Sequence, residues 1–353
     1  MINKIYDPDC ASSCFFRSTV QPPKMKVMVQ ITEKCNLRCA HCFAEANCAG
    51  NEMTLQSIRE VIIPQFIKNQ VIKVTLTGGE PLVHPQAKEI TASFLDSGIG
   101  VSICTNGTLI EHEWIKSLQD YDNLHFNVSL DGMAMQSHGK FRGIKSEEEF
   151  IKLKSNIAML GECGLLNGIL TTPNKYATID EYVELCKFAK TIGAKYVLMN
   201  PLSPFGRGTK TQPLAYSSNE MISLRDATSG LISEDFEVVY IRFPNTERKA
   251  IGDCPLGTVP YIFCNGDITV CPYMVFAASS SELYKESDFL VGNIFKGSDI
   301  AAEVNNYIVN LSIREKEVNE KCKNCSRGCF AIKISNNKPL SECDLDMCPL
   351  SGE

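Results

Sequence analysis

The sequence predicts an α/β protein, a parallel sheet covered by helices and followed by a loop-rich tail organised around metal. Three observations carry this. Strand-like runs alternate with helical stretches as far as about residue 215, four polar loops follow successive runs, and 17 cysteines crowd a chain of 353 residues. The strand-like runs are KVMVQI (26–31), IKVTLT (72–77), GVSICT (100–105), LHFNVSL (124–130), LLNGILT (165–171) and KYVLMN (195–200). Between them TLQSIREVIIPQFIKN, QAKEITASFLDSG, SEEEFIKLKSNIAMLGECG and TIDEYVELCKFAKTIG carry apolar residues at helical spacing. The last three end at a glycine and three of the four open on Thr or Ser, which marks helix termini. Pro64 lies inside the first and predicts a kink or break there.

Six β-α units in succession imply a parallel sheet, either open or curved into a full or partial barrel, with ligands gathering at the carboxyl ends of the strands. The loops at those ends are the informative ones. CNLRCAHC follows the first run, GGEP the second, TNG the third and SLDG the fourth. Past residue 216 the alternation fails, SSNEMISLRDATSGLI reads as a bridging helix, and from 252 the chain is rich in Cys, Gly and Asn. The expected division is an N-terminal extension (1–24), the sheet domain (25–215), a bridging segment (216–250) and the cysteine-rich domain (251–353).

Composition narrows the function. A net charge of −6 with scattered Lys and Arg gives no footprint for nucleic acid. No apolar run approaches the roughly 20 residues of a membrane span, and the N-terminus lacks a signal-peptide stretch, so a cytoplasmic protein is expected. In a reducing compartment clustered cysteines bind metal rather than pair.

Cys35, Cys39 and Cys42 form CxxxCxxC. Four thiolates would saturate a [4Fe-4S] cluster, whereas three leave one iron open to a substrate or cofactor. The alternative is zinc, with His41 as the fourth ligand.

Together with GGEP (Gly78, Gly79, Glu80, Pro81), TNGT and SLDG, in this order over roughly residues 25–210, the motif resembles the radical S-adenosylmethionine enzymes. The resemblance implies a partial (β/α)6 TIM-like barrel. It also implies a cluster whose open iron is chelated by S-adenosylmethionine and reductive cleavage to a 5'-deoxyadenosyl radical, with electrons from a donor such as flavodoxin or ferredoxin. Gly78 and Gly79 then let the backbone approach the methionine moiety, and Glu80 and Pro81 fix that loop beside its amino group. Asn106 and Ser129 hydrogen-bond the cofactor, Asp131 accepts from ribose hydroxyls, and Arg142 pairs with the methionine carboxylate.

The tail resembles the SPASM domain, which carries auxiliary iron-sulfur clusters. Cys254, Cys264 and Cys271 lie in CPLGTVPYIFCNGDITVCPY, Cys322, Cys325 and Cys329 in KCKNCSRGCF, and Cys343 and Cys348 in SECDLDMCP. Eight thiolates suffice for two [4Fe-4S] clusters. The usual CxxCxxxxxCxxxC with one later Cys is here CxxCxxxC with two later ones. Cys322, Cys325, Cys343 and Cys348 are expected around one cluster, and Cys254, Cys271 and Cys329 around the other. Cys264 either completes the latter or serves as a thiol that returns a hydrogen atom to a substrate radical. Cys104, Cys163 and Cys186 read as buried core, and Cys10, Cys14 and Cys48 as surface thiols.

Enzymes of this type mostly modify peptides, so the expected substrate is a ribosomally made peptide that is crosslinked, epimerised or oxidised. A small-molecule dehydrogenase or epimerase acting, for example, on an aminoglycoside is the alternative, and a non-catalytic electron carrier or zinc scaffold the alternative of another class. About 25 residues precede the first strand, too few for a leader-binding domain, so leader recognition is expected to use the barrel or a separate protein.

Overall fold

The computed structural model describes residues 20–244, 256–315 and 329–340. The predicted strands all form, as β1 (Met25–Thr32), β2 (Val71–Gly78), β3 (Gly100–Thr105), β4 (Leu124–Ser129), β5 (Leu166–Thr171) and β6 (Tyr196–Met199). They are joined by β7 (Glu237–Tyr240), β8 (Tyr261–Ile262), β9 (Asp267–Thr269) and β10 (Leu290–Asn293). All belong to one ten-stranded sheet, ordered β10-β9-β8-β1-β2-β3-β4-β5-β6-β7. From β8 through β7 in that order the pairs are parallel, while β9 pairs antiparallel with both β8 and β10. β10 and β7 remain as its two edges, so the barrel is partial.

Helices cover the outer face because alternation sends one apolar set there. Val27, Val29 and Ile31 of β1 and Val101 and Ile103 of β3 enter the large core with Phe94, Phe150, Leu153 and Tyr182. Met28 faces the other way and packs with Val259, Tyr261 and Tyr273 of the tail.

The predicted caps form as well. Ser146 and Thr178 accept hydrogen bonds from the amides of Glu149 and Glu181, opening helices Glu147–Glu162 and Ile179–Thr191. Gly98, Gly164 and Gly193, just past three helices, adopt φ of 78°, 70° and 80°, the left-handed turn that ends a helix without a Cβ clash. At Pro64 the helix is not broken. The run is continuous from Leu55 to Lys68, but just ahead of Pro64 it passes through a π-helical turn, Ile58–Ile62, before resuming as helix Ile63–Lys68, a shift of the hydrogen-bond ladder next to the residue that lacks an N–H. Helix His112–Lys116, between β3 and β4, is too short to show a period in the sequence.

The structure therefore places β7 within the stretch read as a bridge and ties the tail to β1 through β8. Among the described residues no helix is long and apolar enough to cross a membrane.

Candidate functional site

A cavity of about 190 Å³ lies at the carboxyl ends of the strands. Cys35, Cys39, Cys42, Gly78, Gly79, Glu80, Asn106, Ser129 and Arg142 all line it, so the cavity gathers most of the sheet-domain residues the sequence singled out. Pro81 opens the adjoining 3₁₀ turn, Pro81–Val83.

The cysteine loop is held by its backbone. The Cys35 amide donates to the Asn47 carbonyl at 2.6 Å and the Ala40 amide to the Phe141 carbonyl at 2.9 Å. Burial pushes the Cys35 thiol up to about 12 and raises that of Cys39. Thiols so placed ionise when a metal supplies the positive charge that burial removes. Among the described residues no three His, Cys, Asp or Glu side chains converge as one metal ion requires. A single zinc needs ligands within about 2.3 Å of one point, whereas a cube spreads its thiolates over separate irons. His41, the candidate zinc ligand, stacks on Phe141 with centroids 4.2 Å apart and planes 6° apart, and its Nδ1 is buried with no hydrogen-bond partner. Burial, then the Arg142 guanidinium, lowers its ring to about 3, so it stays neutral.

The loop after β2 clamps its neighbours together. Glu80 is 1% exposed, and its Oε1 accepts from the Leu82 amide (3.0 Å) and the Thr105 hydroxyl (2.7 Å), its Oε2 from the Asn106 amide (2.6 Å). Burial nevertheless raises its carboxyl to about 7. The amides of Gly79 and Glu80 donate to the carbonyls of Thr32 and Lys34. A Cβ on Gly78 would stand 2.4 Å from the Thr32 carbonyl oxygen, and one on Gly79 2.4 Å from that of Lys34. These glycines thus permit a close approach to the chain entering the cysteine loop, and both also line the cavity. Asn106 Nδ2 reaches Asn36 Oδ1, inside that loop, at 2.9 Å.

Asp131 needs correction as a ribose ligand. It is fully buried and off the cavity wall: Oδ2 takes Arg142 Nε at 2.5 Å and Oδ1 the Thr172 amide at 2.6 Å. Burial alone would push this carboxyl up, but the adjacent Arg142 guanidinium holds it below the ordinary range. Asp131 therefore fixes Arg142, whose guanidinium lines the cavity.

Cys264 also needs correction as a hydrogen donor. It is packed in the core beside β1, its amide on Gln30 Oε1 and its thiol facing the Ile31 carbonyl at 3.9 Å, away from the cavity wall. Cys104, read as core, lines the cavity instead, because β3 alternation turns it to the inner face; burial pushes its thiol up to about 11. Cys186 is core as expected, Cys163 is partly buried against the core, and Cys48 is exposed.

Of the tail cysteines, Cys271 and Cys329 share one buried cluster, each standing just before a short helix, Pro272–Ala278 and Phe330–Ser335, which pack on one another. Cys10, Cys14, Cys254, Cys322, Cys325, Cys343 and Cys348 lie outside the described residues.

Arg207 escaped the sequence reading. Its side chain donates to the carbonyls of Cys39 (2.8 Å) and Ala46 (3.0 Å) and its amide to that of Cys42 (3.0 Å). Gly206, at φ 57°, lets this segment lie against the carbonyls of Cys42 and Phe43. No local pattern links residue 207 to residue 39.

Residues 29–189 match the family model described as the Radical SAM superfamily. The chain carries a radical SAM domain. Mycofactocin maturase MftC of Mycobacterium tuberculosis is 25% identical over 328 residues, covering 88% of this chain and 79% of its own length. The subtilosin biosynthesis protein AlbA of Bacillus subtilis is 26% identical over 286 residues, 78% of this chain and 59% of AlbA. Among solved structures, Streptococcus suis SuiB bound to S-adenosylmethionine superposes with a TM-score of 0.72 at 19% identity, over 92% of this chain and 77% of SuiB, and shares its fold. A radical SAM domain implies a [4Fe-4S] cluster and S-adenosylmethionine, and the cavity's three soft thiols beside a buried guanidinium suit both.

Proposed function

We propose that this chain is a radical SAM enzyme that removes a hydrogen atom from a peptide in the course of modifying it. One observation carries the reading: Cys35, Cys39 and Cys42 line a single cavity together with Arg142 and the loops after β2, β3 and β4. The three thiolates would hold the cluster with one iron unprotected by the protein. When bound, the cluster and S-adenosylmethionine supply one-electron cleavage of a carbon–sulfur bond and, through it, hydrogen-atom abstraction.

The chain's own residues position and insulate. Arg142 stays protonated against Asp131 and offers its charge to a carboxylate. Asn106 and Ser129 supply hydrogen bonds from the cavity wall, and the Gly78–Pro81 loop backs the amino group. Glu80 has both oxygens engaged within the protein, so it holds the loops in register. A protein electron donor of the flavodoxin or ferredoxin kind supplies the electron.

The peptide substrate is supported by what MftC and AlbA are, a maturase and a bacteriocin biosynthesis protein. Auxiliary clusters in residues 251–353 are supported by Cys271 and Cys329, far apart in the chain, lying in one buried cluster of the tail. The division at 25–215, 216–250 and 251–353 is retained as a functional one, since the sheet itself runs through all three.

The test is anaerobic reconstitution, reduction in the presence of S-adenosylmethionine, and mass spectrometry of 5'-deoxyadenosine, comparing wild type with Cys35→Ala/Cys39→Ala/Cys42→Ala. The nucleoside should form in wild type and disappear in the variant. A wild type with full iron content that makes none under strong reduction would overturn the reading.

A further inference from the structure

A second depression, a groove of about 360 Å³, borders the cavity on the outer side of the cysteine loop. Groove and cavity share Ala44 in their walls. Aromatic rings continue from one to the other: Phe43, on the cavity wall, meets Phe276 at 5.3 Å between centroids, and Phe276 meets Phe263 edge-on at 5.7 Å. Phe263 and Phe276 line the groove and are only partly buried.

The polar wall of the groove is acidic. Glu33, Glu45, Asp267 and Glu286 line it, with no Lys or Arg among the described residues there. Glu33 accepts from the backbone and side-chain amides of Asn51, and Asp267 from the side-chain amides of Asn265 and Asn293. Neutral donors such as these orient a carboxylate without cancelling its charge. Glu45 and Glu286 are exposed.

The chain's overall charge does not account for this. A neighbouring depression that also includes Glu45 is lined by Arg38, Arg207 and Lys210. Glu45 stands on the divide, with Glu33, Asp267 and Glu286 on one side of it and Arg38, Arg207 and Lys210 on the other, and an uneven charge distribution of this kind selects partners by their own charge.

We propose that the acidic groove binds a basic segment of the peptide substrate. Lysine or arginine side chains of that segment meet Glu45 and Glu286, an apolar side chain packs on Phe263 and Phe276, and the chain continues past Ala44 into the cavity. The proposal rests on the peptide-modifying reading above and adds the charge of the segment recognised and the place where it docks.

Fluorescence anisotropy tests it, using a fluorescein-labelled peptide that repeats Gly-Lys-Phe-Lys and a counterpart that repeats Gly-Glu-Phe-Glu. The lysine peptide should bind, more weakly as salt rises, and the glutamate peptide should not. Glu45→Gln/Glu286→Gln should weaken the lysine peptide about 10-fold, as loss of two solvated charge contacts does. Glu147→Gln/Glu148→Gln, on an exposed helix end away from the groove, should leave binding unchanged. Equal binding of both peptides, wild-type binding by the groove variant, or equal weakening by the control variant would each overturn the proposal. Measuring 5'-deoxyadenosine on the same preparation separates the two readings. Nucleoside formation without lysine-peptide binding sinks the groove alone, whereas binding without nucleoside supports the groove and sinks the enzyme.

Discussion

The two ends of the parallel sheet handle buried charge in opposite ways. At the carboxyl end Asp131 meets Arg142 and the Thr172 amide, and Glu80 takes donors from Leu82, Thr105 and Asn106. At the amino end Lys26 of β1 stands in register beside Lys73 of β2. Burial, then Lys26 and Lys195, lowers Lys73 to about 8, and burial with Lys73 and Lys195 lowers His125 to about 4. The contrast teaches where this protein needs geometry. Charges at the cavity are pinned by directed partners that fix loop positions, while Lys73 at the opposite end is repelled by its neighbours Lys26 and Lys195.

The sharpest way to break the comparison is Asp131→Asn. Removing one partner of a buried ion pair strands the other, so denaturant unfolding should show a loss of about 3–5 kcal/mol. A loss below about 1 kcal/mol would mean that the pair is as weak as a surface one and the rim is not pinned.

Arg207→Ala comes next. It removes the side-chain bonds to Cys39 and Ala46, each worth roughly 1.5–3 kcal/mol when the donor is charged, although Arg207 is itself partly exposed. Reconstituted iron per chain should fall, with faster amide exchange over residues 39–46, and Arg207→Lys should not restore it, since an ammonium cannot span both carbonyls. Unchanged iron and exchange would show that the cysteine loop holds itself.

Two smaller effects sharpen the contrast through pH. Glu80 has a carboxyl raised from 4.5 to about 7, so the native state holds its proton longer than the unfolded chain. Its contribution to stability is full below pH 4.5 and is lost as pH climbs to about 7. Lys73, lowered from 10.5 to about 8, acts in the other sense: its contribution is full above pH 10.5 and lost as pH falls through about 8. Stability profiles of Glu80→Gln and Lys73→Met, each subtracted from wild type, should therefore slope oppositely and in separate windows. Slopes of one sign, or one shared window, would erase the distinction between the ends.

Much of this was legible locally. The strands from β1 to β6 and the capped helices follow from alternation, helical spacing and residues such as Ser146, Thr178 and Gly193, because those preferences act over a few bonds. The cysteine loop and GGEP were legible for the same reason. β7 to β10 were not, since they lie outside the regular β-α succession that flags β6 and their pairing is settled by the edges that β1 and β6 expose.

The sequence by itself determined which residues form β1 to β6 and which loops meet at their carboxyl ends, since a parallel β-α succession leaves them nowhere else to go. Only the tertiary structure decided how those loops are held. Asp131 turned from ligand candidate to anchor of Arg142, Arg207 reached back across 168 residues to the cysteine loop, and Cys104 and Cys264 exchanged cavity and core. The physical reason is range. Propensity and alternation act between neighbours, but the partner of a buried charge and the side of a wall a thiol occupies depend on whatever distant segment packs against it.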